Sequence, residues 1–228
     1  MITTGFRLDW STTKTKTEIV DVENDITCSD LGDFPVKLHA AVGANVHGTP
    51  VVCGGYVTYS DYGYSDKCYS FTNGVWKEFA SMKDKRIYAA AIIYNKKLHV
   101  FGGGNWNSRL QTSETISLDG EVSDGPVLPI AVWKHGMTTL NDTVSILSDS
   151  AKTWYYNHET KVFTSGPNLL EGRSNHGSAT VVDKVTKAKI AVVTAGENHD
   201  FLDSTELLIN GQWQTGNIQC IKQDVFIW

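Results

Sequence analysis

Three histidines are the first residues of this 228-residue chain whose type and spacing could do chemistry. His39, His135 and His176 recur at equivalent positions of three predicted strands, each close to a basic residue. Three imidazoles around a common axis are a ligand set that a transition metal accepts. No paired carboxylate or close His-x-His spacing accompanies them, and a repeated position usually repeats a structural role. We therefore expect these histidines to make hydrogen bonds between neighbouring repeats, and we predict no metal and no cofactor.

Residues for covalent catalysis or phosphate binding are not recognisable in the sequence. The serines and aspartates lack a Gly-x-Ser-x-Gly turn or another setting that activates a nucleophile. The glycine pairs lack the lysine and the strand–helix context of a phosphate-binding loop. The four cysteines have no Cys-x-x-Cys spacing, which argues against zinc. The sequence predicts a protein that is not an enzyme.

Two of the cysteines lie on strands that we expect to pair. If Gly55 pairs with Asp66 in an antiparallel hairpin, the register places Cys53 opposite Cys68. Directly opposed cysteines can satisfy disulfide geometry, while the alternative is a pair of buried free thiols. A disulfide would indicate a secreted or cell-surface protein, so an extracellular location is slightly favoured over the cytoplasm.

One sequon for N-glycosylation is present, Asn141-Asp142-Thr143. It falls at a predicted turn between two strands, where an attached glycan would be exposed. Because a three-residue pattern often occurs by chance, it adds little to the evidence for secretion.

Charge and hydropathy exclude some partners. The formal net charge is −5, and Lys and Arg form no run, so neither nucleic acid nor an anionic membrane surface is an expected partner. No apolar stretch approaches the ~18 residues that a transmembrane helix requires. Twenty glycines and 24 aromatic residues favour many short strands joined by turns.

The chain is built from a repeat whose most regular element is a short strand that ends at a glycine pair. The equivalent position advances from 5 to 54, 102, 149 and 195, which is a period slightly below ~50 residues. The five occurrences are Ile2–Phe6, Val51–Gly55, His99–Gly103, Ile146–Ser150 and Val192–Gly196. A period of this length is typical of a β-propeller with four-stranded blades.

Two further strands and an aromatic residue repeat in step with the glycine pair. The strand before the pair tends to open with a basic residue, as at Arg86 and Arg173. The strand after the loop carries Ser or Thr and often Glu, as at Ser113-Glu114. The outer strand carries an aromatic residue. Together these elements resemble the kelch repeat family over essentially the whole chain, although only two repeats have the full glycine pair.

The resemblance implies a structural role for the repeated residues. In kelch propellers the glycines let backbones pass closely near the central axis, where a Cβ would clash, and the outer-strand tryptophan packs between blades. The positions that match are Gly5, Gly54, Gly55, Gly102, Gly103, Gly196, Trp76 and Trp213.

The fold class that we predict is all-β, a single kelch-type propeller over residues 1–228. The blades are approximately residues 1–34 with 223–228, then 35–82, 83–130, 131–170 and 171–219. Residue 1 lies in mid-blade, so the last strand, residues 224–228, would complete the first blade, close a five-bladed ring and remove two open sheet edges. The alternative is a fragment of a six- or seven-bladed propeller.

The loops after the glycine strands emerge on one face of such a disc and carry residue types that are enriched in binding hot spots. These residues are Arg7, Trp10, Tyr59, Tyr62, Tyr64, Trp106, Arg109 and Phe201. We therefore predict a non-catalytic module that binds a protein or glycan through this face, a role that the kelch resemblance also implies. The alternatives are a truncated or inactive propeller segment of a larger secreted or membrane-anchored protein, and a galactose-oxidase-like enzyme.

Overall fold

The computed structural model describes residues 2–3, 15, 17–21, 26–28, 31–57, 63–105 and 107–216. These residues form β-strands, turns and extended segments, and none of them is helical. The strands of the first two repeats are β1 (Ile2–Thr3), β2 (Glu18–Asp21), β3 (Ile26–Cys28), β4 (Leu38–His39), β5 (Val42–Val46), β6 (Thr49–Cys53), β7 (Tyr56–Val57), β8 (Gly63–Tyr64), β9 (Lys67–Thr72) and β10 (Val75–Ser81).

The remaining strands belong to the last three repeats. Those of the third repeat are β11 (Ala90–Tyr94), β12 (Lys97–Phe101), β13 (Gly104–Asn105), β14 (Ser108–Arg109), β15 (Ser113–Ile116) and β16 (Val122–Asp124). Those of the fourth and fifth are β17 (Gly136–Thr139), β18 (Val144–Asp149), β19 (Lys152–Asn157), β20 (Val162–Ser165), β21 (Gly177–Val182), β22 (Lys189–Thr194), β23 (Glu197–Asn198), β24 (Asp200–Phe201), β25 (Thr205–Ile209) and β26 (Gln212–Gly216).

Each predicted repeat corresponds to one antiparallel sheet. The first sheet has the order β1-β2-β3, and the four-stranded sheets have the orders β5-β6-β9-β10, β11-β12-β15-β16, β17-β18-β19-β20 and β21-β22-β25-β26. The all-β prediction and the four-stranded repeats are therefore confirmed. The strand predicted to complete the first sheet, residues 224–228, lies outside the described residues.

Tight turns join the strands within each sheet. Asn73-Gly74 connects β9 to β10 and Asn210-Gly211 connects β25 to β26, with all four residues at φ between 51° and 77°. Two successive left-handed residues form the hairpin turn whose twist matches that of paired strands, and Asn-Gly is its preferred sequence. These turns fix the register of the outer strands.

The first strands of the four-stranded sheets, β5, β11, β17 and β21, contact one another in that order. We call them the inner strands. A chain of backbone hydrogen bonds runs beside them: the N–H of Tyr88 donates to Ala40 O at 3.0 Å, that of Lys134 to Tyr88 O at 2.9 Å, and that of Asn175 to Lys134 O at 2.7 Å. Each of these four residues lies two positions before an inner strand.

The residues of this chain of hydrogen bonds share an uncommon conformation. Ala40, Tyr88, Lys134 and Asn175 all have φ between 51° and 55°, in the left-handed region that non-glycine residues seldom adopt. Such a conformation costs free energy and persists only where its surroundings hold it in place. Here each of the four residues is held by a hydrogen bond to a neighbouring repeat.

The glycine pairs also join one repeat to the next. Gly55 N donates to Arg86 O at 2.7 Å and Gly103 N to Val132 O at 2.9 Å. Gly103 has a φ of +89°, and a Cβ there would lie 2.8 Å from Ile87 O. A side chain is therefore excluded by both conformation and space, in line with the role that the kelch resemblance implies.

The hydrophobic core lies between neighbouring sheets. One cluster joins residues of the second and third sheets, a second joins the third and fourth, and another joins the fourth and fifth. The first cluster includes Cys53 and Leu98, the second Phe101 and Trp154, and the third Ile146 and Trp213. Trp76 packs among Phe34, Leu38 and Tyr69, and its Nε1 donates to Thr17 Oγ1 at 2.8 Å.

Cys53 and Cys68 form a disulfide, which decides between the two alternatives that the sequence left open. They are directly paired on β6 and β9, and neither has measurable exposure. The bridge lies inside the core cluster between the second and third sheets.

Two buried ion pairs are built on the same plan in alternate sheets. In the third sheet, Arg86 Nη2 lies 2.9 Å from Glu114 Oε1, and Arg86 Nη1 donates to Gly102 O and Thr112 O. In the fifth, Arg173 Nη2 lies 2.8 Å from Glu206 Oε1, and Nη1 donates to Ala195 O and Ser204 O. The sequence showed Arg and Glu as repeated residue types, but not that they pair.

Glu114 also accepts hydrogen bonds from the backbone of the segment that precedes β11. Its Oε2 accepts the N–H of Lys83 at 2.6 Å, and its Oε1 accepts that of Asp84 at 3.1 Å. Glu206 does the same for Leu170 and Glu171. Each carboxylate therefore satisfies both a buried guanidinium and two backbone donors.

We predict that Glu114→Ala lowers the free energy of unfolding by about 3–5 kcal/mol, because it leaves the Arg86 guanidinium buried without its counter-charge. The double variant Arg86→Leu with Glu114→Tyr introduces the residue types that the second repeat has at these positions, Leu38 and Tyr69. Its free energy of unfolding should fall by less than the sum of the decreases caused by the two single changes. Urea unfolding of the wild type, Glu114→Ala, Arg86→Leu, Glu114→Tyr and the double variant measures these differences. Single variants within 0.5 kcal/mol of the wild type would contradict the structural role.

Candidate functional site

The loops after the glycine pairs form short β-ribbons. β13 pairs with β14, β23 pairs with β24, and β7 pairs with both β4 and β8. In the fourth sheet β18 ends at Asp149 and β19 begins at Lys152, which leaves no room for a ribbon. The loop face predicted from sequence therefore has backbone hydrogen bonds of its own.

All three ribbons lie at the same end of the repeats. Gly104 bridges to Ile87 and Glu197 bridges to Ser174, so each of these ribbons rests on the segment that leads into the inner strand of its own sheet. That segment also carries the chain of backbone hydrogen bonds. We call this end the ribbon face; it comprises the ribbons and the lead-in residues 38–40, 87–89, 133–135 and 174–176.

The ribbon face includes three of the binding residues predicted from sequence. Tyr64 lies on β8, Arg109 on β14 and Phe201 on β24. The other five, Arg7, Trp10, Tyr59, Tyr62 and Trp106, lie outside the described residues.

Arg109 stacks on an aromatic ring of the neighbouring repeat. Its Cζ lies 5.4 Å from the centre of the Trp133 ring, within the range of a cation–π interaction. A Cβ on Gly104 would lie 2.9 Å from Trp133 Cε3, so the glycine lets the indole lie against the ribbon backbone. Burial raises the pKa of Asp149, and the positive charge of Arg109 opposes this shift in part.

The same row of side chains continues into the fifth repeat. The ring of Tyr88 meets Trp133 edge-on at 6.2 Å, and Lys134 Nζ lies 5.3 Å from the centre of the Tyr88 ring. Lys134 Nζ also lies 2.9 Å from Glu197 Oε1. These five side chains thus form a continuous row in which two aromatic rings, Trp133 and Tyr88, lie between two cations, Arg109 and Lys134, and which ends at the carboxylate of Glu197.

Sequence reasoning missed most of this row. Of its members only Arg109 was predicted as a binding residue, whereas Trp133, Tyr88, Lys134 and Glu197 were not. The signal that could have found Trp133, Tyr88 and Lys134 is their place two or three positions before an inner strand, because the chain returns to the ribbon end at that point in every repeat.

Phe201 and Tyr64 differ in their surroundings. Phe201 is 92% exposed at the end of its ribbon. Tyr64 is partly buried and meets Tyr56 edge-on at 5.6 Å, and Tyr56 in turn meets His39 at 5.2 Å. Phe201 therefore offers free apolar surface to a ligand, whereas Tyr64 belongs to a small aromatic cluster.

The prediction that three histidines share one position is wrong for His39. His135 and His176 each follow a left-handed residue directly, whereas His39 precedes one and lies on β4. His176 Nε2 lies 2.8 Å from Ser148 Oγ, while both ring nitrogens of His135 are buried without a hydrogen bond among the described residues. The described residues contain no group of three or more His, Cys, Asp or Glu side chains that could hold a metal ion.

Burial keeps these two imidazoles neutral. It lowers the pKa of His135 to about 3, with a smaller contribution from the nearby His176. It also lowers the pKa of His176 to about 4, helped by the positive charge of Arg173. Both groups are packed structural residues at neutral pH.

No protein-family model matches this chain, and no curated protein matches it. Within the described residues, no helix has the length and apolar character needed to cross a membrane.

We predict that stability falls as the pH drops from 7 towards 4, and that His135 contributes to the fall. The unfolded chain protonates this histidine near its ordinary pKa of 6.5, whereas the folded chain does so only at about 3. Between these values the unfolded state binds more protons, so His135 alone should cost about 2 kcal/mol between pH 7 and 5.

Urea unfolding at the two pH values tests this prediction. His135→Leu should lose less stability between pH 7 and 5 than the wild type. His199→Asn, which replaces an exposed histidine with a residue that tolerates its positive φ, should behave as the wild type. An unchanged pH dependence in His135→Leu would show that this imidazole is protonated in the folded protein.

Proposed function

We propose that the chain is a five-bladed kelch-type β-propeller that acts as a non-catalytic binding module through its ribbon face. Three observations support the propeller: a glycine-strand repeat of slightly under 50 residues, four inner strands that contact one another in order, and core clusters between successive sheets. A ring of blades is the arrangement in which each sheet packs on both of its neighbours.

The observation that carries the binding role is the exposure of Phe201 and Arg109 on ordered ribbons. Phe201 is almost fully exposed, and Arg109 is exposed and held on Trp133. Residues of these types dominate binding energy when a partner removes them from water. Because strand pairing holds the ribbon backbone and Trp133 holds the Arg109 side chain in the free protein, association has less of the chain to order.

The row of cationic and aromatic groups favours a ligand with flat apolar surfaces and oxygen acceptors. Peptides and glycans both have these features, and both are retained as ligand classes. The Cys53–Cys68 disulfide supports an oxidising compartment, so extracellular proteins and glycans are the first ligands to search.

The test is a screen of the whole chain against printed glycans and displayed peptides, followed by affinity measurements on the ligands retained. The double variant Arg109→Ala with Phe201→Ala should bind at least about 30-fold more weakly, the loss expected when hot-spot residues are truncated.

Val185→Ala is the matched control. Val185 is 88% exposed and lies in the turn between β21 and β22, at the end opposite to the ribbon face. It should bind as the wild type. Ligands that the double variant binds as tightly as the wild type would refute the ribbon-face site, and a screen that retains no ligand would refute the binding role for these two classes.

A further inference from the structure

The turn between β17 and β18 presents the sequon in an ordered and exposed form. Asn141 is exposed, and its Oδ1 accepts hydrogen bonds from Thr143 N at 2.9 Å, Thr143 Oγ1 at 3.1 Å and Val144 N at 2.9 Å. Its Nδ2 donates to none of the described residues. Backbone N–H groups of Leu140 and Asn141 also donate to Val144 O, at 2.8 and 3.1 Å. None of these hydrogen bonds uses the amide nitrogen of Asn141, which is available for a covalent substituent.

Beside this turn lies an open groove of about 650 Å³. Its lining includes Leu140, Asn141, Val144, Tyr155, Val162 and Thr164. Val162 is 52% exposed, although it is apolar. The acceptor asparagine thus forms part of the wall of a largely apolar depression.

We propose that Asn141 carries an N-linked glycan whose first sugar residues cover this groove. The C–H faces of a pyranose are apolar and pack on aromatic and aliphatic surfaces, while its hydroxyl groups remain in water. Because the attachment atom belongs to a residue that lines the groove, the first sugars are held next to Leu140, Tyr155 and Val162. The glycan removes from water an apolar surface that the protein itself leaves open.

The modification is a transfer from a lipid diphosphate-linked oligosaccharide. The Nδ2 of Asn141 forms a bond to C1 of the first sugar, and the bond from C1 to the diphosphate oxygen breaks. The lipid diphosphate leaves, and one amide proton passes to a base of the transferase. The chain supplies only the acceptor amide and the hydroxyl of Thr143, which are the two groups that define the sequon.

Two other observations agree with this modification. The buried Cys53–Cys68 disulfide is expected in an oxidising compartment, such as the one in which N-glycans are attached. The groove lies at the end of the fourth sheet that is opposite to the ribbon face. A glycan there leaves the ribbons uncovered, so the modification and the proposed binding function are independent of each other.

The test uses the whole chain secreted from a eukaryotic cell line behind a cleavable leader. The intact mass should exceed that of the polypeptide, and an N-glycosidase should remove the excess and convert the modified asparagine to aspartate in the peptide that contains Thr143. Asn141→Gln and Thr143→Ala should abolish the modification. Thr143→Ser, which keeps the hydroxyl, should preserve it and serves as the control for folding.

Hydroxyl-radical footprinting tests whether the glycan covers the groove. Oxidation of Tyr155 should rise several-fold after native removal of the glycan, whereas oxidation of Phe201, exposed at the other end, should not change. A secreted protein whose Asn141 is unmodified would overturn the whole proposal. A modified Asn141 with equal oxidation of Tyr155 before and after glycan removal would overturn the covering of the groove.

Discussion

The structure depends on a chain of backbone hydrogen bonds that passes from one repeat to the next. Ala40, Tyr88, Lys134 and Asn175 hold the same left-handed conformation, and each of the last three donates its N–H to the carbonyl of its predecessor. This constraint places the inner strands side by side. The same hydrogen bonds determine where the ribbons lie, because two ribbons bridge to the lead-in residues that form these bonds. They also determine the positions of the Tyr88 and Lys134 side chains.

The buried ion pairs show that equivalent positions of the repeats can hold either a charged pair or an apolar pair. Arg86 and Glu114 of the third repeat are equivalent in position to Leu38 and Tyr69 of the second. Likewise, Arg173 and Glu206 of the fifth repeat are equivalent to Val132 and Trp154 of the fourth. Both partners change together. This agrees with the general finding that a buried ion pair can be replaced by packed apolar groups, whereas either charge left alone is costly.

Much of this fold could be predicted from the sequence because its signals are local. The glycine strand repeats at a nearly constant period, Asn-Gly marks the hairpin turns, and the register of one hairpin placed Cys53 opposite Cys68. The candidate site was less predictable. Arg109 and Phe201 were predicted because they lie in loops that follow the repeated glycine strand. Trp133 meets Arg109 only through packing between repeats. The sequence also misplaced His39, which precedes the left-handed residue Ala40, whereas His135 and His176 follow the equivalent left-handed residues. The period of the repeat does not show which residue has this conformation.

The measurement that tests the central claim most directly is amide hydrogen exchange, followed by NMR. The N–H groups of Tyr88, Lys134 and Asn175 lie outside the inner strands, yet each donates to the preceding repeat. If this chain joins the repeats, all three should exchange as slowly as amides in the middle of β11 and β17, through global unfolding. Exchange as fast as that of the exposed turn at residues 183–187 would show that the repeats are not joined in this way.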